Sequence, residues 1–493
     1  MRSVLLTHSY FYKLDAKQWR FKQPYPPLGT LLAASILKQM GFSIDLQDAC
    51  LKDNPKSIIE KIKLTKPHYV VIYDDGFNYL TKMCLSVMRD AAFKMIHAAK
   101  EVKSIVIVCS SDSSDHCEDY LGAGADYIVR GEGEETLKEL IETIETNKNI
   151  GTVLGVTYGT KGDLHTNPSR PVIKDLDQLP LPAWELVDME AYKNIWIKHH
   201  GYFSLNVATT RGCPFKCNWC AKPIYGNRYN SRSAEHVLGE IEYLINTFHP
   251  THFWMCDDIF GLKPGWVEKF GQLVKQKKLS FKYKIQSRVD LLLESEVVNH
   301  LASSGAETVW VGAESGSQKI LDAMDKGTTV DQIHTSTRLL KKHNIKVGFF
   351  LQFGYLGEQL EDIDKTIQMV LQLMPDEIGI SVSYPLPGTG FYEKVKATMD
   401  EKQNWKDSDD LDMMFQGAYS SSFYKVLHRY VHSRYRSQRG LDRIKLMFKK
   451  PVLAYADIRK IASMMYHIPL SLLQFYQLKK HSANSLSVNR EIN

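Results

Sequence analysis

The sequence predicts an α/β protein in three parts: an N-terminal doubly wound, flavodoxin-like sheet, a partial (β/α)6 TIM-type barrel, and a helical C-terminal extension. Three observations predict it. Short, nearly continuous apolar runs alternate with helical apolar spacing over residues 1–150, the pattern of parallel strands covered on both faces. After a proline-rich stretch the alternation restarts near Leu205 and runs through six further units. Past Thr398 it stops, and an acid-rich patch gives way to a basic tail.

Val4–Thr7 reads as the first strand. Leu28–Met40 has helical apolar spacing and stops at Gly41, a residue suited to a left-handed C-terminal cap. Ser43–Leu46 reads as a strand, Ile58–Leu64 as a helix, Tyr69–Tyr73 as a fully buried strand, and a long helix comes next near Leu80–Ala99. Ile105–Cys109 and Asp126–Val129 are the next strands. The latter runs into Gly131-Glu-Gly-Glu134 and a helix over Glu135–Ile144, whose acidic start suits the helix dipole. Five strands with helical crossovers make an open sheet that binds ligands outside its carboxyl ends. In the connector, residues 151–200, Gly151–Tyr158 reads as a small strand pair, and Pro168, Pro171, Pro180 and Pro182 stiffen the remainder of the segment.

The barrel, residues 201–398, has strands predicted at Leu205–Thr209, His252–Cys256, Lys282–Gln286, Thr308–Val311, Lys346–Gln352 and Glu377–Val382. Helices such as Glu235–Thr247, Val330–His343 and Leu360–Leu373 lie between them. Six units are too few to close an eight-strand barrel, which leaves an open side for substrate, and sites in such folds lie at the carboxyl ends of the strands. Residues 399–493 form the extension, with helices at Phe423–Tyr435 and Asp457–Tyr466 and a last dozen residues that read as disordered. Residues 421–493 carry 14 Lys and Arg against 3 Asp and Glu. This is either a solvated helical face or a surface for anionic membrane lipid or an acidic substrate.

Composition narrows the class. Hydrophobic content of 44% and charged content of 24% are ordinary for a globular protein, and a net charge of +6 over 493 residues implies no nucleic-acid partner. The eight cysteines form no regular disulfide framework, which points to a reducing compartment, the cytosol. The N-terminal apolar run is too short for a signal peptide, and no stretch is long enough to span a bilayer.

Three of those cysteines, Cys213, Cys217 and Cys220, fall in one CxxxCxxC run, Thr210-Arg-Gly-Cys-Pro-Phe-Lys-Cys-Asn-Trp-Cys-Ala-Lys-Pro223, placed after the first barrel strand. Three thiolates on one loop can hold three irons of a [4Fe–4S] cluster and leave the fourth open to a small molecule. The competing reading is a structural zinc knuckle, which needs a fourth ligand from Cys256 or a distant histidine.

The loop closely resembles the signature of radical S-adenosylmethionine (SAM) enzymes. The resemblance implies that the open iron chelates SAM and that an electron cleaves it to an adenosyl radical. Later strand ends resemble the subgroup with an N-terminal cobalamin-binding domain: Asp257-Asp258, Gln286-Ser-Arg288, Gly312-Ala-Glu-Ser-Gly316, Gly354-Tyr-Leu-Gly-Glu358 and Tyr384-Pro-Leu-Pro-Gly-Thr389. By that likeness Asp257, Asp258, Gln286, Arg288, Glu314, Ser315 and Gly354 would meet SAM. In the motif after the fifth strand, Tyr355-Leu356 stands where the family has Leu-Pro. The N-terminal part resembles cobalamin-binding domains at Tyr25-Pro-Pro-Leu-Gly29 and Gly131-Glu-Gly-Glu-Glu-Thr-Leu137, so Leu28, Gly29, Ser110, Ser111, Gly131, Glu132 and Gly133 are the corrin contacts expected. No Asp-x-His-x-x-Gly run supplies a lower cobalt ligand, and Ser110-Ser-Asp-Ser-Ser-Asp115 replaces the usual Gly-Gly-x-His.

The resemblance implies a methyltransferase acting on an unactivated carbon of a small molecule, lipid or peptide, with flavodoxin or ferredoxin as electron donor. A cobalamin-free radical SAM enzyme that rearranges, cyclises or oxidises is the first alternative, and a non-catalytic metal-cluster module the second. No residue is identified as an acid or base acting on substrate.

Overall fold

The computed structural model describes residues 3–220, 225–449 and 455–491. Its first sheet holds β1 (Ser3–Thr7), β2 (Ser43–Gln47), β3 (Tyr69–Tyr73), β4 (Ile105–Cys109), β5 (Tyr127–Val129), β6 (Val156–Thr160) and β7 (Asp163–Thr166), in the order β2-β1-β3-β4-β5-β6-β7. The first five pair in parallel, and the order reverses direction between β1 and β3. The unbroken apolar run of β3 has a direct cause. Val70 and Ile72 pack into the core on one face, and Tyr69, Val71 and Tyr73 into the core on the other. The connector does hold a strand pair, β6 and β7, but it lies later than the expected Gly151–Tyr158, which opens instead with a 3-10 turn at Ile150–Thr152, and it joins the sheet edge antiparallel to β5.

One helix differs from its expected form. The run near Leu80–Ala99 is broken into Tyr79–Lys82 and Ser86–Glu101. Cys84 takes a left-handed conformation at the break, and the freed amides of Ser86 and Val87 donate to the carbonyls of Trp405 and Lys406. The segment after the barrel thus folds back onto the N-terminal part, and Ser408 also donates to the Asp15 carboxylate.

In the second sheet β8 (Ser204–Val207) carries the cysteine loop. Its root is a two-residue antiparallel ladder, β9 (Thr210–Arg211) with β10 (Asn230–Ser231). The strands β11 (His252–Met255), β12 (Lys282–Ser287), β13 (Ala306–Glu314), β14 (Lys346–Phe353) and β15 (Glu377–Val382) complete the sheet, all parallel, in the order β15-β14-β13-β12-β11-β8. This is the expected open, six-strand barrel. The two sheets share one continuous apolar core. The Tyr25-Pro-Pro segment fastens them, because Trp196 donates to the Pro24 carbonyl, Asn206 to that of Pro26, and Tyr25 hydrogen-bonds Ser204.

The extension is two long helices, Ser421–Lys449 and Tyr455–Glu491. The first is seated on the barrel by buried Phe423, Tyr424, Leu427 and Val431, and by Tyr435 donating to the Pro375 carbonyl. The second runs on through Glu491, so the disorder expected of the last dozen residues is replaced by helix up to that point.

Candidate active site

The cysteine loop leaves the barrel at the carboxyl end of β8 and is clamped at its root. Asp257, at the end of β11, accepts from the Thr209 amide at 2.7 Å, the Thr209 hydroxyl at 2.6 Å and the Thr210 amide at 2.8 Å. Burial pushes its carboxyl up to about 6 against those bonds. Gly212 turns the chain with φ of 81°, where a β-carbon would stand 2.1 Å from the Arg228 carbonyl oxygen.

Further along, Asn218 ties the loop to three other segments: the end of the helix Gln318–Ala323, the turn after β14 and the start of the helix Gly390–Val395. Its amide and side chain donate to the carbonyls of Met324 and Ala323. Its side-chain oxygen accepts from the Tyr355 hydroxyl at 2.6 Å, and its carbonyl accepts from the Phe391 amide at 2.7 Å. Tyr355, the departure from the family's Leu-Pro, therefore has a partner in the cysteine loop itself. Nothing in the sequence marked Asn218.

Cys213 and Cys217 are half-buried and Cys220 is exposed. The protein around Cys220 is nevertheless dense enough that burial, with Asp258 and Cys217 beside it, pushes its thiol up to about 12. Burial also raises Cys213. Two cations oppose these shifts: Lys326 acts on Cys220 and Arg288 on Cys213. Lys326 donates to Glu314 at 2.8 Å, and Gly312 makes room for that pair, since a β-carbon there would lie 2.5 Å from both the Lys326 Nζ and the Glu314 Oε1. From the N-terminal part, Lys82 donates to Asp258 at 2.7 Å, and Tyr79 stands near Cys220 and Glu314. Three thiols on one loop, with cations that lower the cost of their ionisation, are by residue type a donor set that suits an iron–sulfur cluster, and among the described residues no three His, Cys, Asp or Glu side chains are gathered closely enough to hold a metal ion.

The residues expected to meet SAM divide. Asp258, Gln286 and Glu314 stand at the carboxyl ends of three successive strands, Asp258 paired with Lys82 and Glu314 with Lys326. Glu314 is held at φ of 55°, at a bulge in the β13–β14 register, which is the backbone strain of a residue fixed in an unusual direction. The other four are engaged by the protein itself. Asp257 is filled by its threonine donors. Ser315 is wholly buried and bonds Thr366 and the Ser317 amide. Arg288 donates to the Lys326 carbonyl and Asp290, and its guanidinium lies 3.7 Å from the Phe215 ring centroid, so it steadies the cysteine loop. Gly354 faces Met413 and Tyr424 of the extension.

The corrin contacts expected need more revision. Glu132 and Glu134 both accept from Arg211, at 2.5 and 2.7 Å, and all three side chains are buried. Glu132 also accepts from the Ile173 amide. The Gly131–Glu134 turn thus grips the root of the cysteine loop. Gly133 packs against its own sheet, because a β-carbon would stand 2.5 Å from the Cys109 sulfur. Leu28 is buried, Gly29 donates to Asp75 at 3.1 Å, and Ser110 caps the short helix after β4. The hydroxyls of Ser111 and Tyr10 are buried with no hydrogen-bond partner among the described residues, past the carboxyl ends of β4 and β1. That is the crevice where such sheets bind ligands. Unpaired buried hydroxyls there fit an amide-rich ligand such as cobalamin, whereas the Gly131–Gly133 turn does not.

Residues 207–370 match the model of the radical SAM superfamily. Over that segment the chain carries a radical SAM domain. An uncharacterised methyltransferase of Pyrococcus horikoshii is 30% identical over 290 residues, 58% of this chain and 62% of the relative. An anaerobic magnesium-protoporphyrin IX monomethyl ester cyclase of Rubrivivax gelatinosus is 27% identical over 384 residues, 75% of this chain and 66% of the relative. The matches therefore span less than two thirds of either relative. Among solved structures, the cobalamin-dependent SAM radical enzyme OxsB with aqua-cobalamin bound superposes with a TM-score of 0.72 at 17% identity, covering 97% of this chain and 72% of that one. The likeness shows that both sheets and the extension share one fold with that enzyme.

Proposed function

We propose that the chain is a cobalamin-dependent radical SAM methyltransferase acting on an unactivated carbon of a small molecule, lipid or peptide. The observation that carries the reading is the three-cysteine loop at the carboxyl end of β8, facing strand-end carboxylates in a domain matched to the superfamily. In this reading Cys213, Cys217 and Cys220 hold a [4Fe–4S] cluster, and Asp258 and Glu314, with Gln286, orient SAM beside it. The cluster when bound supplies the electron that cleaves SAM, and cobalamin when bound supplies a methyl carrier.

The chain's own share is positional. Asp257 and Asn218 fix the loop, Arg211 joins it to the N-terminal sheet, and Tyr10 and Ser111 are the cobalamin contacts proposed in place of Gly131–Gly133. A flavodoxin or ferredoxin would supply electrons, in a cytosol that keeps the thiols reduced.

Anaerobic reconstitution tests the cluster. Parent protein should take up about four irons per chain, and replacing all three cysteines with alanine should abolish the visible absorption. Zinc bound without iron would overturn the reading. The relative named as a cyclase keeps a second reading open, a radical SAM enzyme that cyclises or oxidises without methyl transfer. Corrin absorption in protein made with cobalamin supplied, then transfer of labelled methyl from SAM, separates the two.

A further inference from the structure

The helix Tyr455–Glu491 buries an unusually polar side: with Met464 and Leu478, at helical spacing, it turns Asp457, His467, Ser471, Gln474 and Ser482 against its neighbour. These are used: Arg436 and Ser433 of the preceding helix hydrogen-bond His467, and Arg443 pairs with Asp457. Gly440 lets the two helices cross closely, since a β-carbon there would lie 2.3 Å from that of Met464. Rotation of the helix is therefore fixed with its polar side inward.

What it presents to solvent is apolar. Met465, Tyr466, Leu472 and Tyr476 are 63%, 66%, 67% and 71% exposed, with Leu473 and Phe475 beside them. Spacings of three, four and seven put these on one continuous face. Monomers rarely show contiguous apolar patches beyond roughly a few hundred Å² without a partner. The flanks are cationic: Arg459 stands before the apolar stretch, Lys479 and Lys480 after it, and Arg436, Arg439 and Lys445 are exposed on the neighbouring helix.

We infer that this face is a docking surface for an anionic lipid bilayer, on which the helix lies in the interfacial plane. Charge complementarity selects the occupant. An apolar face rich in tyrosine, bracketed by lysine and arginine, matches an acyl boundary beneath anionic headgroups. No helix among the described residues is long and apolar enough to cross a membrane, so the contact is peripheral. It is independent of the chemistry proposed above.

The test is co-sedimentation of full-length protein with phosphatidylcholine vesicles, with and without phosphatidylglycerol, at low and high salt. Parent protein should pellet with the anionic vesicles and be released by salt. Leu472→Glu/Tyr476→Glu should bind at least about tenfold more weakly, and Lys479→Glu/Lys480→Glu should lose its preference for anionic lipid by a similar factor. Both pairs are exposed, and iron content should match the parent. A parent that stays in the supernatant with every vesicle overturns the inference. So does a Leu472→Glu/Tyr476→Glu protein that pellets like the parent, or self-association that this variant abolishes while vesicles bind neither protein.

Discussion

Replacing Arg211 with methionine should destabilise the union of the N-terminal sheet and the barrel more than any single loss in the candidate site itself. Arg211 is buried, donates to both Glu132 and Glu134, and sits 5.4 and 5.1 Å from the ring centroids of Phe77 and Tyr225. Removing one partner of a buried ion pair costs about 3–5 kcal/mol, because the remaining charge keeps its desolvation and loses its compensation. Here one cation serves two carboxylates, which puts the effect at the upper end of that range. For a cooperative unit of roughly 150–250 residues, each kcal/mol moves the midpoint by about 2–4 °C, so the first thermal transition should fall by about 6–20 °C at pH 7. Burial already holds the Glu132 carboxyl above its ordinary value despite Arg211. A folded-state pKa raised in this way contributes stability that is present below the unfolded value and lost as pH rises through the folded one. Without Arg211 the rise is greater, so the deficit of the variant should shrink from pH 7 to pH 5. The triple variant Arg211→Met/Glu132→Leu/Glu134→Leu should recover most of the stability. Calorimetry at both pH values decides. A single variant within about 1 kcal/mol of the parent at pH 7, or one with an equal deficit at pH 5, would refute the buried triad as the joint.

Tyr355→Phe removes the hydroxyl bonded to Asn218 and should cost about 1 kcal/mol of loop order, read as roughly fivefold faster iron loss to a chelator; an unchanged rate would remove Tyr355 from the loop's support. The two adjacent aspartates should behave differently. Asp257→Ala strands the buried Thr209 and Thr210 amides and should lower stability by about 2–4 kcal/mol, whereas Asp258→Asn, which keeps an acceptor for the buried Lys82, should cost less stability and weaken SAM binding about tenfold by calorimetry. Equal effects of both on SAM affinity would return Asp257 to the binding set. Glu358, wholly buried with only the Gly354 amide donating to it, has its carboxyl pushed up to about 8 by burial. Its contribution is present at low pH and lost as pH rises through that value, so Glu358→Gln should gain on the parent between pH 6 and pH 9; parallel stability curves would sink this assignment.

The fold was legible because its strands are buried on both faces. A run such as Tyr69–Tyr73 can be a strand of this kind only if two cores exist, and the structure supplies one on each side of it. The barrel strands could be placed from their apolar runs, although β12 and β15 alternate between buried and half-buried positions, and the cysteine loop because CxxxCxxC has few other uses. The break at Cys84 was not legible. What interrupts the helix there is a pair of hydrogen bonds to residues 405 and 406, which are distant in sequence and invisible to local propensity.

Motif resemblance located the site but mixed two kinds of residue. A strand-end motif includes groups that face the site and groups that hold those groups still, and spacing alone does not separate them. Glu314 and Ser315 are neighbours, yet one sits at a strained φ beside the thiols and the other is wholly buried against Thr366. The same holds for Gly131-Glu-Gly-Glu134. Its glycines permit a close approach, but the partner that approaches is the sheet beneath, and its carboxylates reach Arg211 beside Gly212-Cys213. That junction has a functional consequence. A reaction that moves a group between a ligand over the N-terminal sheet and one at the barrel mouth needs reacting atoms held at about 3–3.5 Å. A buried triad linking the last turn of one domain to the root of the other's cofactor loop is how this chain would set that distance. The most instructive residues of the turn are therefore the two glutamates, whose charge commits the N-terminal sheet to one position against the cysteine loop.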